Sequence, residues 1–325
     1  MTLSHEIRVG DCLDALRAMP DQSFHCCITS PPYFGLRDYG MASQIGLEQT
    51  PDEFVSRLVE VFREVRRVLR DDGTLWLNLG DSYANDGKWG GSSGGKHANA
   101  LHGNTSVGRT KTRTGLKPKD LIGIPWRVAF ALQVDGWFLR QDIIWHKPNP
   151  MPESVRDRCT KAHEYVFMLT KSPRYYYDHE AVKEDAVSEH PSGNGFKRDA
   201  RESYKNLDGT ARGNDEQWTG VGGKRNRRSV WTVPTAGFKG AHFATFPPDL
   251  IRPCVLAGAP RGGLVLDPFG GAGTTALVAM QEGRRSVLIE LNPEYAAIAR
   301  NRLDTAWLEG AAQLDLLHDQ KESVA

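Results

Sequence analysis

Apolar positions along the chain fall into two regular blocks separated by a stretch without periodicity. Phe24 to Thr29 is a short apolar run of the kind a buried strand shows. Phe54, Leu58, Val61, Phe62, Val65 and Leu69 then recur at helical spacing until Gly73 ends the helix. Thr74 to Leu79 predicts a strand, Leu121 to Leu132 a helix closed by a turn at Gly136, and Phe138 to Trp145 and Tyr165 to Thr170 two more strands. The second block reads Pro247 to Leu256 as helix, Leu264 to Asp267 as strand, Thr274 to Glu282 as helix, Ser286 to Glu290 as strand and Glu294 to Leu308 as helix. This alternation predicts an α/β fold with a mainly parallel central sheet flanked by helices. The blocks divide as 1–183, 184–239 and 240–313, with a frayed tail at 314–325.

Between about Glu184 and Lys239 the periodicity gives way to Gly, Asn, Asp and clustered basic residues, notably Lys224, Arg225, Arg227 and Arg228 just before Trp231. This segment reads as an inserted recognition region, with a solvated linker as the alternative. A second basic stretch, about 85–119, holds Lys88, Lys96, Arg109, Lys111, Arg113, Lys117 and Lys119 against one acid, Asp86, among many Gly and Ser residues. It reads as a flexible loop. The formal net charge of +1 hides this asymmetry. Basic segments of this kind suit the phosphates of double-stranded DNA, and arginines near Trp231 suit guanine edges.

The chain of 325 residues, 39% hydrophobic and 25% charged, is long enough for a core that needs no disulfides. Its five cysteines, Cys12, Cys26, Cys27, Cys159 and Cys254, lack the spacing of a zinc site and read as reduced, mostly buried thiols, so no metal is expected. No apolar run approaches the roughly 20 residues of a membrane helix, and the opening segment lacks a signal-peptide core. The expected location is the cytoplasm, associated with the nucleoid.

Two turns carry candidate chemistry. Leu264 to Thr275, LVLDPFGGAGTT, places glycines between a buried strand and a helix, where backbone amides can approach a ligand closely. Gly271, Gly273 and Ala276 satisfy a loose dinucleotide-binding pattern, and Glu290 ends the next strand, where an acid can accept hydrogen bonds from ribose hydroxyls. A dinucleotide fold and a merely structural turn remain open on these residues alone. Ser30-Pro31-Pro32-Tyr33 forms a rigid turn after a strand, where open α/β sheets place their ligands. The Ser30 hydroxyl and Pro31 carbonyl can accept hydrogen bonds from an exocyclic amino group, and Tyr33 can stack on a base.

Together, SPPY and DPFGGAGTT resemble the paired motifs of S-adenosylmethionine-dependent DNA amino methyltransferases, in the order of the β subgroup. The resemblance implies a Rossmann-like methyltransferase fold, S-adenosyl-L-methionine as cofactor, and a base flipped out of the duplex. It further implies that Asp267, Pro268, Phe269 and the turn Gly270, Gly271, Gly273, Thr274 and Thr275 hold the methionine portion and that Glu290 holds the ribose. Asp11 and Cys12, in VGDCLDAL, correspond to the contacts with adenine, and Phe246 to a residue packing over the cofactor. DDGTLWLNLGDSYA and ESVRDRCTKAHEYVFMLTKS match middle motifs, but Asp81, Arg158 and His163 are given structural roles.

In the resembling family TSPPY is associated mainly with cytosine-N4 and DPPY mainly with adenine-N6, so cytosine-N4 is favoured and adenine-N6 is the alternative. A homodimer and a cognate restriction endonuclease are the further partners implied. Carbon-5 methylation would need a Pro-Cys nucleophile, and Pro253-Cys254 lies within an apolar helical pattern instead. A hydrolase reading lacks both GxSxG and HExxH. A non-enzymatic DNA-binding module is the competing class, and it would need neither turn.

Overall fold

A computed structural model of the chain describes residues 5–36, 41, 43–84, 116–185, 224–235 and 245–322, with side chains to residue 308. Lys88, Lys96, Arg109, Lys111 and Arg113 lie outside the described residues. The chain divides into a larger unit, Met1–Asp178 with Ser229–Ala325, and a smaller one, His179–Arg228.

The larger unit begins with β1 (His5–Val9), α1 (Cys12–Arg17), β2 (Phe24–Thr29), α2 (Pro51–Val68) and β3 (Leu69–Leu79). α3 (Ile124–Val134), β4 (Phe138–His146) and β5 (His163–Thr170) complete the first block. β6 (Glu184–Asp185) and β7 (Lys224–Arg225) belong to the smaller unit. The chain re-enters the larger one with β8 (Val230–Thr232), α4 (Pro248–Gly258), β9 (Leu264–Asp267), α5 (Thr274–Gln281), β10 (Arg285–Glu290) and α6 (Pro293–Glu322).

Eight strands form one sheet in the order β1-β10-β9-β2-β3-β5-β4-β8. Every neighbouring pair is parallel except the two that involve β5, which runs against β3 and β4. The sheet is thus mainly parallel, as the alternation of elements requires, with one reversed strand. Helices cover both faces, which is why its central strands read as continuous apolar runs. Cys27 packs in the core that contains Leu13 and Leu16 of α1, Phe54 and Leu58 of α2, and Val128 of α3. Its neighbour Cys26 faces the other way, against Gly258 at the end of α4. A small cluster of Ala276, Leu277, Leu288 and Leu303 fastens α5 and α6 to β10.

α2 shows how local sequence sets an element. Thr50 and Glu53 form a reciprocal capping box, Pro51 occupies the first turn, and Phe54, Leu58, Val61, Phe62, Val65 and Val68 supply the buried face. Each of these large side chains contributes about 1.5–3 kcal/mol on burial. Gly73, however, does not end this helix. Leu69 already adopts extended backbone (φ −71°, ψ 144°), and β3 starts there by pairing with Phe24. Gly73 lies within the strand, where a Cβ would come within 2.9 Å of the Arg70 carbonyl oxygen.

Two other expectations change. α6 continues to Glu322, so most of the expected tail is helical; its Ala, Leu, Gln and Glu content favours helix. The expected recognition region is divided, because Val230–Thr232 pairs with Ile144–His146 as an edge strand of the main sheet. In the smaller unit β6 and β7 form an antiparallel pair. There Glu184 receives both Arg225 (2.9 Å) and Arg228 (3.0 Å), and Asp185 receives Lys224 (2.5 Å), so much of this basic cluster is already neutralised.

Four of the cysteines are buried and Cys159 is exposed; all are free thiols. Among the described residues no helix is long and apolar enough to cross a membrane, and no group of His, Cys, Asp and Glu could hold a metal ion.

Candidate active site

β9 and β2 lie side by side, but the chain leaves β9 towards β10 on one side and leaves β2 towards β3 on the other. Their carboxyl ends therefore flank a topological switch point, where a crevice opens between diverging connections. Asp267 ends β9 and Thr29 ends β2, and the two are bonded: the Thr29 hydroxyl donates to Asp267 Oδ1 at 2.6 Å. Thr275 donates to Oδ2 at 2.6 Å and the Phe269 amide to Oδ1 at 3.1 Å. Burial pushes the Asp267 carboxyl up, while these three donors act in the opposite direction. Asp267 thus clamps the glycine turn to the strand that carries SPPY.

All the candidate site residues of the two turns, with Asp11, Cys12, Phe246 and Glu290, line one cavity of about 170 Å³, except Gly273 and Thr275. Thr275 lies behind its wall, because its buried hydroxyl is spent on Asp267. Gly273 shapes the wall from behind. It adopts left-handed backbone (φ 78°, ψ 21°) as the N-cap of α5, and a Cβ there would sit 2.9 Å from the Cβ of Ala299. No side chain caps α5, which leaves first-turn amides available to an anionic or carboxylate group. Arg302 supports the turn from α6 by donating to the Ala272 carbonyl (3.1 Å) and to Thr274 (2.9 Å).

Glu290, at the end of β10, accepts the Gly271 amide at 2.7 Å and the Asn292 amide at 2.8 Å. Burial raises its carboxyl above the usual range, with these amides pulling the other way. Gly10 donates to the Glu290 carbonyl, which brings the β1–α1 junction to the same rim. There Asp11 caps α1 by accepting the Leu13 (2.8 Å) and Asp14 (3.2 Å) amides. Burial, followed by the charge of Asp11, pushes the Cys12 thiol up to about 12, so it stays protonated. This wall offers fixed donors and acceptors beside the apolar surfaces of Phe246 and Phe269, which suits an amphipathic ligand with an amino acid at one end and a nucleoside at the other.

The SPPY turn lines the same cavity. Tyr33 donates its hydroxyl to Glu164 Oε2 at 2.7 Å and lies 3.3 Å from Asn78 Oδ1. Glu164 also receives Lys147, and Asn78 Nδ2 donates to the Tyr165 carbonyl at 3.0 Å. Burial and then the charge of Glu164 push the phenol well above its ordinary range; the Ser30 side chain and the Gly80 amide face the same oxygen. Tyr33 can therefore be read as a ring held by its far end.

Sequence reasoning missed Glu164 as a site residue, as well as Gly10, Met41, Ile45, Asn292 and Tyr295 on the cavity wall. Gly10 in VGDCLDAL, Glu164 in ESVRDRCTKAHEYVFMLTKS, and Asn292 and Tyr295, which follow Glu290 in LNPEY, lie within segments that carried a signal, whereas Met41 and Ile45 do not. Asp81 accepts the Gly123 (2.9 Å) and Ile124 (3.1 Å) amides and so caps α3, and Arg158 lies 4.0 Å over the Tyr83 ring.

Residues 24–301 match the model of a family described as DNA methylase, covering N6 and N4 enzymes. The chain is 53% identical over 295 residues to the type II methyltransferase M.Cfr9I of Citrobacter freundii, covering 90% of this chain and 86% of that one. It is 48% identical over 300 residues to the type II methyltransferase M.SmaI of Serratia marcescens, covering 92% and 91%. Among solved structures, the cytosine-N4-specific PvuII DNA methyltransferase aligns with a TM-score of 0.61 at 20% identity, over 92% of this chain and 86% of that one. A Thermus thermophilus protein solved with S-adenosyl-L-methionine aligns with a TM-score of 0.55 at 23% identity, over 93% and 95%. The chain belongs to the N6/N4 DNA methylase family.

Proposed function

We propose that this DNA methylase transfers a methyl group from S-adenosylmethionine to the exocyclic amino nitrogen of a base turned out of the DNA duplex, and that the base is cytosine, methylated at N4. One observation carries the reading: the glycine turn and the SPPY turn open into one cavity at the switch point, joined behind it by Asp267. The methyl donor supplies an electrophilic methyl on a sulfonium. The wall of Gly270, Gly271, Thr274 and Glu290 is suited to hold its two polar ends, and Asp11 its base.

An amino nitrogen is a poor nucleophile because its lone pair is delocalised into the ring. Ser30 and the Pro31 carbonyl accept hydrogen bonds from it and aim the lone pair at the methyl, and the two prolines hold the acceptors still; as the N–C bond forms, the donor's S–C bond would break to leave a thioether and one amino proton would pass to solvent. Tyr33 stacks on the base, which recovers part of the few kcal/mol spent on extruding it. The case for cytosine rests on Ser30, in the TSPPY form that resembles N4 enzymes. The relatives are named type II methyltransferases; the proposed setting for this chain is a restriction-modification pair in which its methylation protects DNA from a cognate endonuclease.

The test is to incubate the purified protein with mixed-sequence duplex DNA and labelled S-adenosylmethionine, digest to nucleosides and identify the product by mass spectrometry. N4-methylcytosine is expected. N6-methyladenine would keep the mechanism and overturn the base, whereas donor binding without any product would favour a binding module.

Glu290 makes the donor affinity depend on pH. Its folded carboxyl titrates above the ordinary 4.5 because of burial, so it takes up a proton early on acidification and loses acceptor capacity for ribose hydroxyls. Calorimetric titrations should show affinity falling as pH drops, with the decline beginning above pH 4.5. The same raised value makes the ionised form costly to the fold. Its contribution to stability is therefore fully present below the unfolded value and lost as pH rises through the folded one. A donor affinity flat from pH 7 to about pH 4.5 would remove Glu290 from the ribose role.

A further inference from the structure

We infer that Glu164, itself held by Lys147 and Asn78, is a positioning residue of the transfer site: by taking the Tyr33 hydroxyl it sets the plane of the ring and braces the SPPY turn. The inference rests on the assignment of methyl transfer to that turn. Glu164 is the second residue of β5, the reversed strand, so its side chain reaches the edge of the sheet where β2 and β3 end. Had β5 run parallel to its neighbours, its first residues would lie at the opposite edge.

The geometry restrains the carboxylate from both sides. Oε2 takes the Tyr33 hydroxyl at 2.7 Å and lies 3.3 Å from Asn78 Nδ2, while Oε1 takes Lys147 Nζ. Lys147 is in turn 4.2 Å over the Trp145 ring. The side chains of Lys147 and Glu164 are only 17% and 16% exposed, so this pair is not one of the solvent-screened surface contacts that carry little energy. A partly buried ion pair is weak evidence for stability, because desolvation offsets its attraction, but it holds a third group in place well. The third group here is the Tyr33 hydroxyl.

The ring has little freedom on its other side. A Cβ on Gly80 would come within 2.5 Å of Tyr33 Cε2, so the absence of a side chain there is what admits the ring. With Pro31 and Pro32 limiting the backbone and Glu164 the far end, Tyr33 offers a base a face whose tilt is set before the base arrives. Such preorganisation acts on the orientation of reacting groups and so on turnover more than on donor binding.

The experiment measures kcat, the KM for S-adenosylmethionine and the melting temperature for Tyr33→Phe, Glu164→Gln, the double variant and Ser30→Ala. Tyr33→Phe deletes one oxygen and keeps the ring. It should lower kcat roughly tenfold to a hundredfold, with the donor KM and the melting temperature little changed. Glu164→Gln should lower kcat to a similar degree with the donor KM little changed, but it takes the carboxylate from Lys147 and so lowers the melting temperature as well. In the double variant the loss should fall well short of the product of the single losses, because both act through one contact.

Wild-type kcat in Tyr33→Phe overturns the inference however Glu164→Gln behaves. Multiplicative losses also overturn it, as does a fall in the kcat of Tyr33→Phe that comes with a weaker donor KM and a lower melting temperature. Ser30→Ala separates the two levels of argument. If it retains full turnover, the assignment of the turn has failed; if it is impaired while Tyr33→Phe is not, only the role of Glu164 falls.

Discussion

Ser30→Ala lowers the single-turnover rate of methyl transfer by roughly a hundredfold while leaving donor affinity within about threefold of wild type. The hydroxyl is one of two acceptors proposed for the target amino group, and removing it frees that group to rotate its lone pair away from the methyl. A hundredfold loss corresponds to about 2.7 kcal/mol of barrier, more than a neutral hydrogen bond contributes to stability, because orientation is lost along with the bond. Donor affinity is preserved because the contacts proposed for the donor, the glycine turn, Glu290 and Asp11, do not include Ser30. The backbone of the turn is held by Pro31 and Pro32, so the change reaches no further than the Tyr33 hydroxyl that the Ser30 side chain also faces. Rapid-quench measurement on a saturated protein–DNA complex, paired with calorimetric donor binding, makes the comparison. An unchanged rate would mean that Ser30 does not touch the reacting amine.

Gly273→Ala abolishes most donor binding and destabilises the fold. A non-glycine residue in left-handed backbone costs about 1–2 kcal/mol, and the new Cβ would meet Ala299 Cβ at 2.9 Å, on α6, which Leu303 fastens to α5 and β10. Relief of that overlap must move the start of α5, and the first-turn amides move with it. The expected outcome is at least tenfold weaker donor binding and a stability loss of about 2–4 kcal/mol. Gly283 supplies the control. It shares the left-handed backbone (φ 71°) but has nothing within 4 Å of its would-be Cβ. Gly283→Ala should cost only the backbone strain and leave donor binding intact. Equal donor affinities in the two variants would show that the packing of the glycine turn on Ala299 has no bearing on the ligand.

Much of this protein is written locally. β9 spans the residues that the apolar run Leu264 to Asp267 predicts, and β2 those of Phe24 to Thr29, because each run ends at a turn whose residues cannot extend a strand. The two chemical turns were legible for the same reason: Pro-Pro and clustered glycines restrict or release the backbone at their own positions. The helical spacing of α2 also survives, although Leu69 and not Gly73 ends it, since pairing with Phe24 draws the chain into extended form early. Local pattern did not show that Val230–Thr232 would leave the inserted region to join the sheet, or that Lys224, Arg225 and Arg228 would meet acids of β6.

By itself, then, the sequence determined the elements from β2 onward outside the inserted segment, their alternation and the two turns that hold the candidate chemistry, but not β1 or α1. Only the tertiary structure decided that Asp267 spends its carboxylate on Thr29, Thr275 and Phe269, and that β5 runs backwards. It alone set the Tyr33 hydroxyl against Glu164, 131 residues away. Backbone preference and periodicity act within a few residues. Which strands become neighbours, and which polar groups must then find partners in the space between them, depends on how the whole sheet closes its core.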